Sequence, residues 1–260
     1  MIDALNISES GLKATQQWVD QISHHIANMQ TPGYKKTDVY FSDLVSSQAS
    51  QANSAGSANA TNALNKGIGT RIDAPRIDFS EGAFRQTNRE LDLAITGSGF
   101  FELVGENGEA VYTRQGSLIV DSEGYLSHRD GLRLSDQIQV PADASNIEIA
   151  SSGEVRATLS GQADVLSLGQ ISIATITNTD SLTSLGAGLF SASDTSTDVV
   201  LARPNSDGAG ALTQGYLEMA NVELVDEMTN LVLAQRVYQL NARIIQTADQ
   251  IMETVNNLKR

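Results

Sequence analysis

The chain has 260 residues and 27.7 kDa, with 17 Lys+Arg against 31 Asp+Glu, a net charge of −14 and a pI near 4.5. That acidity argues against a phosphate-tracking nucleic-acid surface, and the lack of cysteine excludes a disulfide framework, a Cys-ligated metal site and thiol catalysis. The length supports a real core, but 5% aromatic and 40% hydrophobic residues read as thin packing, which leans away from a deep apolar catalytic pocket. No stretch approaches the roughly 18 uninterrupted apolar residues of a membrane helix, so no membrane insertion is expected. The first 28 residues have no basic leader, apolar block or small-residue cleavage site, so no cleaved secretory signal is expected.

At the N-terminus Leu5, Leu12, Val19 and Ile26 fall at seven-residue intervals, with Ile22 and Met29 in the second seam position. Such a repeat predicts a helix packed as in a coiled coil. Ser8 and Thr15 stand in the second seam where apolar residues are expected, and Gly11 weakens the helix by about 1 kcal/mol relative to Ala. Thr31-Pro32-Gly33-Tyr34 reads as a turn that ends this helix and redirects the chain. Lys35 and Lys36 would then sit beside the last helical carbonyls, where the macrodipole favours cations.

The stretch 46–66 holds six Ala, five Ser, four Asn and two Gln, and predicts a linker or flexible loop. Short β-favouring runs follow at 100–104, 110–114, 117–120, 125–127, 138–140, 147–149, 155–159, 166–168 and 171–176. Turn signals separate them, among them Gly105-Glu106-Asn107-Gly108 and Asp121-Ser122-Glu123-Gly124, which predicts an antiparallel β domain. Beyond Gly215 there is neither Gly nor Pro, and Leu224, Leu231, Tyr238, Ile245 and Met252 repeat every seven residues beside Val237, Ile244, Ile251 and Leu258. This predicts a helix of some 35 residues with two apolar stripes, hence more than one neighbour. The expected class is α+β: long terminal helices pairing as a coiled coil around an inserted antiparallel β domain. The expected divisions are 1–34, 35–75 (extended linker), 76–215 (β domain) and 216–260. Charge follows the same division, at −2 for 1–45, −11 for 46–221 and −1 for 222–260.

No chemistry emerges from the motifs. His24 and His25 are adjacent on a helix and point about 100° apart, so they form no metal pair and read as surface or contact residues. Gly97-Ser98-Gly99 lacks the third glycine and the following helix of a dinucleotide fingerprint. Asp121-Ser122-Glu123-Gly124 lacks the first acidic ligand of a calcium loop, where Ile119 stands. No catalytic residue, metal or cofactor is expected, and the chain reads as a non-enzyme.

Ala27-Asn28-Met29-Gln30-Thr31-Pro32-Gly33-Tyr34-Lys35 resembles the signature of bacterial flagellar rod and hook proteins, carried by Asn28, Thr31, Gly33, Tyr34 and Lys35. Asp92–Phe101, Tyr112–Ser117, Gln214–Val222 and Gln235-Arg236-Val237-Tyr238 are similar to further motifs of that family, in order along the chain. Gly67-Ile68-Gly69-Thr70 after a polar insertion resembles the distal-rod branch, with the proximal-rod branch as the alternative. The resemblance implies a helical homopolymer whose seam runs through Leu5, Leu12, Val19, Ile22, Ile26, Met29, Leu224, Leu231, Tyr238, Ile245 and Met252. It further implies proximal-rod and hook-side axial proteins and a ring bushing as partners. Delivery would be by the flagellar type III export apparatus to a periplasmic rod, without a cleaved signal. Outside the family, a monomeric coiled-coil binding module and a peptidoglycan enzyme are the competing classes.

Overall fold

The computed structural model describes residues 2–46, 66–105, 108–159, 165–192, 198–206 and 208–258, so the polar stretch 47–65 and the turn residues Glu106 and Asn107 lie outside the described residues. The chain forms two compact units. One comprises Met1–Ala27, Thr37–Arg76 and Glu223–Arg260, and the other comprises Asn28–Lys36 and Ile77–Val222.

The first unit holds the two long helices, α1 (Ile2–Asn28) and α2 (Leu224–Leu258). They pack antiparallel: Gly11 meets Asn241 and His25 meets Glu227, so the contacts lie 14 residues apart on each helix. Ser8, Ala14, Thr15, Ile22 and His25 form the buried face of α1, while Leu5, Leu12, Val19, Ile26 and Met29 flank it half-buried. Ser8 and Thr15, read from sequence as breaks in the seam, are among its most buried residues. The reason is steric, because small side chains let two helix backbones approach, and the Thr15 hydroxyl is satisfied by donating to the Gly11 carbonyl at 2.7 Å. A Cβ on Gly11 would come within 2.9 Å of the Asn241 amide, so the glycine that weakens the helix opens the contact. On α2 the buried residues are Glu227, Ala234 and Ala248; Leu231, Ile245 and Met252 are half-buried, and Leu224 and Tyr238 are exposed.

The stretch 35–75 contains a hairpin where an extended linker was expected. Strand Phe41–Ser46 pairs antiparallel with Lys66–Ile72, Phe41 opposite Ile72. The hairpin seats on α1. The Trp18 and Phe41 rings meet edge-to-face at 5.7 Å, and Thr70 N donates to the Ser10 hydroxyl at 3.2 Å. Gly69, at φ +149°, has no room for a side chain, because a Cβ would lie 2.2 Å from Ser10 Oγ. These strands flank the polar insertion, so local composition carries no trace of their pairing, and the linker expected at 46–66 falls almost wholly on residues outside those described.

The second unit is antiparallel β. Its nine-stranded sheet runs in the order 182–186, 189–192, 110–113, 100–104, 133–134, 126–128 and 118–120, with 173–176 also paired to 100–104 and 199–202 paired to 173–176. A three-stranded sheet is built from 144–149, 154–159 and 165–170, and ribbons pair 93–96 with 211–214 and 84–86 with 216–218. The predicted strand at 138–140 is instead an irregular stretch with one bridge, Gln139 to Tyr125, and the neighbouring strand is Arg133–Leu134. Asp121-Ser122-Glu123-Gly124 is the expected hairpin turn, closed by Gly124 N donating to the Asp121 carbonyl at 2.9 Å.

The main core gathers Leu93, Ile95, Phe101, Leu103, Leu118 and Ile173, all fully buried. A second cluster stacks Phe79, Phe100 and Phe190 edge-to-face at 5.1–6.5 Å between centroids. Such pairs add about 0.5–1.5 kcal/mol each beyond their area. Phe101→Ala is expected to cost about 3–5 kcal/mol through lost burial and a residual cavity, read as a lower urea midpoint at unchanged m.

Candidate functional site

Four stretches that the sequence singles out separately come together inside the β unit around one carboxylate. Glu218, in strand Tyr216–Glu218, is fully buried. Its Oε1 lies 2.6 Å from Lys35 Nζ and accepts a hydrogen bond from Gly82 N at 3.1 Å, while Oε2 lies 3.1 Å from Arg114 Nε. Lys35 donates again to the Ser80 carbonyl at 2.6 Å. Arg114 Nη1 donates to the carbonyls of Gly97 and Gly99 at 2.9 and 2.7 Å, and its guanidinium lies 5.9 Å from the Phe100 ring centre. Lys35 belongs to the 27–35 signature, Gly97 and Gly99 to 92–101, Arg114 to 112–117 and Glu218 to 214–222.

Main-chain bonds hold the same stretches in register. Gly33 N donates to the Glu218 carbonyl at 2.8 Å, and Lys36 N to Asn221 Oδ1 at 2.8 Å. The Asn221 amide in turn donates to the Asp78 carbonyl at 2.8 Å. Gly33 is required twice over: its φ is +68°, and a Cβ would stand 2.5 Å from Gln115 Cγ. Asn28 Oδ1 accepts from the Thr31 hydroxyl at 3.3 Å across the turn, and Tyr34 is half-buried beside it. Lys35 and Lys36 therefore do not serve as helix-end charges. Lys35 turns into the cluster and Lys36 reaches Asp78 at 3.4 Å, because a buried carboxylate attracts a cation far more strongly than a solvated helix terminus does.

Burial pushes the Lys35 ammonium and the Arg114 guanidinium below their ordinary ranges, and Glu218 opposes both shifts. Two cations share one carboxylate, with Glu81 adding to the field at Arg114 and Asp78 to that at Lys35. Lys35 Nζ and Arg114 Nη1 donate to fixed acceptors, while Arg114 Nε faces Glu218 Oε2 as an ion pair without a hydrogen bond, and the buried arrangement offers no nucleophile and no open face. It locks chain segments and does not process a substrate. Among the described residues no group of three or more His, Asp or Glu is placed to hold a metal. No described helix is long and apolar enough to cross a membrane.

Of the residues expected from sequence, Lys35 and Gly33 belong to this site. The seam residues Leu5, Leu12, Val19, Ile26, Leu231, Ile245 and Met252 lie in the helical unit, half-buried, and Ile22 lies there fully buried. Arg114 and Glu218 were not singled out as site residues. The available signal was a charge inside an apolar β-type run, at Val111-Tyr112-Thr113-Arg114 and Leu217-Glu218-Met219.

A chain of paired terminal helices with a β domain inserted in sequence, locked by buried charge, belongs to the class of structural proteins. Residues 94–157 match the model of the flagellar hook protein FlgE/F/G D1 domain, and residues 213–258 that of the flagellar basal body rod FlgEFG protein C-terminal region. The flagellar basal-body rod protein FlgG of Bacillus subtilis is 37% identical over 267 residues, covering all of both chains. The FlgG proteins of Agrobacterium fabrum and Borreliella burgdorferi are 36% and 34% identical, over 98–100% of each chain. The chain belongs to the flagellar basal-body rod protein family. It is a structural component of the basal body and not an enzyme.

Glu218→Gln is expected to destabilise the β unit by about 3–5 kcal/mol, because it leaves two cations buried without a counter-charge. Lys35→Met should cost clearly less, since Arg114 then keeps Glu218 to itself. Urea unfolding of both variants decides the matter, and equal losses would show that the carboxylate is not the hub.

Proposed function

We propose that the chain is a distal-rod subunit that polymerises through its terminal helices into a rigid tube, transmitting motor torque to the hook. The observation carrying this reading is the outward side of α2. Met228, Val232, Leu240, Ile244 and Ile251, all off the row of Glu227, Ala234 and Ala248 that packs on α1, are each 47–58% exposed along one 35-residue helix. An apolar stripe of that length is the mark of an interaction surface. In a helical polymer each subunit meets its neighbours through unlike patches, which a helix with two apolar stripes supplies. The row of Glu227, Ala234 and Ala248 packs on α1, and the exposed apolar residues beside it meet neighbouring copies, in coiled-coil fashion with the seam from Leu5 to Met29 and from Leu224 to Met252.

Proximal-rod and hook-side axial proteins at the two ends, and a ring bushing around the shaft, complete this reading, with delivery through the type III export apparatus into the periplasm. The helix packing within one chain favours a second reading, a monomeric binding module that docks a different partner on the exposed side of α2, and self-assembly of the purified chain separates the two. The stretch 46–66 then serves to stiffen the rod against bending.

Ile244→Asp and Ile251→Asp touch exposed positions, so each should change monomer stability by no more than about 0.5 kcal/mol. In a strain lacking its own copy, either variant should be exported yet fail to restore swimming and assembled rods, as seen in isolated basal bodies. Normal rods from the double variant would sink the polymerisation reading. Deleting 46–66 should leave export intact and yield bent rods, whereas straight rods would remove the stiffening role.

A further inference from the structure

His25 sits in the last turn of α1, 5% exposed, where three parts of the helical unit meet. Its Nε2 lies 3.1 Å from Thr37 N and 3.0 Å from the Gln21 side-chain amide. Its Nδ1 lies 3.4 Å from Glu227 Oε1, in the first turn of α2. A backbone N–H can only donate, so Nε2 must be the acceptor and the ring proton must sit on Nδ1, facing the carboxylate. The tautomer is thus dictated by Thr37. In this neutral state the imidazole holds Thr37, which leads into the hairpin of 41–46 and 66–72, and stands beside Glu227 of α2.

A proton added at Nε2 sets two donors against each other at Thr37. The main chain cannot reverse its N–H, but the Gln21 amide can rotate and offer its oxygen. On the other side, Nδ1–H facing Glu227 becomes a charge-assisted bond, stronger than its neutral form. We propose that His25 is a two-position pH switch: neutral, it anchors the entry to the hairpin on α1; protonated, it releases Thr37 and engages Gln21 and Glu227 instead. Acid thereby exchanges a hairpin anchor for a tighter clasp between the two helices.

The charged and titratable groups facing the ring are Glu227 from α2, Asp38 and Tyr40 from the stretch after Thr37, and His24 on its own helix. A polar groove of about 290 Å³, lined also by Trp18 and Asn230, opens beside the ring. Burial holds His25 below its ordinary 6.5, Glu227 and Asp38 oppose that shift, and His24 adds to it. The sign follows: the neutral arrangement contributes its full stability above pH 6.5 and loses it as pH falls through the lowered folded value. The inference rests on the geometry of the helical unit and is independent of the rod assignment.

The test is amide hydrogen exchange on the full-length dilute protein between about pH 7.5 and about pH 5, corrected for intrinsic rates, with nitrogen chemical shifts of His25 recorded alongside. Expected are an Nδ1–H tautomer at neutral pH and a fall of about tenfold or more in Thr37 protection on the acid side, while the first turn of α2 keeps or gains protection. Gln21→Leu removes both the amide beside Nε2 in the neutral state and the oxygen that would accept the new proton; it should move the transition to lower pH while Thr37 stays protected at neutral pH. His25→Phe should abolish the transition; if it does not fold, the Gln21 variant still decides. An Nε2–H tautomer at neutral pH, pH-independent protection of Thr37, or simultaneous loss of both contacts would each overturn the switch.

Discussion

Glu218 carries two cations on one buried carboxylate, Lys35 from the stretch that follows α1 and Arg114 from the end of a central strand. Removing three charges from water is costly, and apolar residues of the same volume would serve stability as well or better. What the charges add is directional. Lys35 must reach both Glu218 and the Ser80 carbonyl, and Arg114 must reach Glu218 and two glycine carbonyls. Few placements of the 28–36 segment satisfy both sets of bonds, whereas apolar packing tolerates many. The position of that segment within the β unit is therefore fixed by bonds with defined geometry, and Gly33 and Asn221 close the remaining freedom through the main chain.

The helical unit applies the same logic with weaker means. Its buried face is poor in large apolar groups and rich in small or polar ones: Ser8, Gly11, Thr15 and His25 on α1, Glu227, Ala234, Asn241 and Ala248 on α2. Such a face gives up hydrophobic stabilisation in exchange for close approach and a single register, the role best attested for polar residues inside helix pairs. The Gly11–Asn241 and His25–Glu227 contacts agree on one antiparallel register, so a slip of one turn would break both at once.

The helices and many of the strands were legible in the sequence because periodicity is local. Leu224–Leu258 has the 35 residues the heptads predicted, and most of the short β runs and the 121–124 turn appear close to where they were expected. Two things were not legible. The hairpin of 41–46 and 66–72 pairs strands across a long polar insertion, and 133–134 replaces 138–140 because its partner is the distant strand 100–104. The charge cluster was hidden for the same reason: Lys35 and Glu218 are 183 residues apart, and only their shared burial reveals them as partners. The seam showed the converse error. Polar residues at Ser8 and Thr15 looked like defects in a hydrophobic repeat, whereas close helix packing selects for small size before apolarity.

The outward side of α2 has no equivalent inside the chain. Apolar side chains along most of α2 face solvent at roughly half exposure. The Thr229, Thr247 and Thr254 hydroxyls on that helix each donate to the carbonyl four residues earlier, at 2.8–2.9 Å, so these side chains demand no polar partner. Charge is arranged compatibly. The two ends carry only −2 and −1 while the middle carries −11, so copies approaching through their helices meet little repulsion and copies approaching through their β domains meet much. A nearly neutral helix that leaves apolar side chains in solvent, joined to a self-repelling body, is the surface that the proposed packing through helices requires.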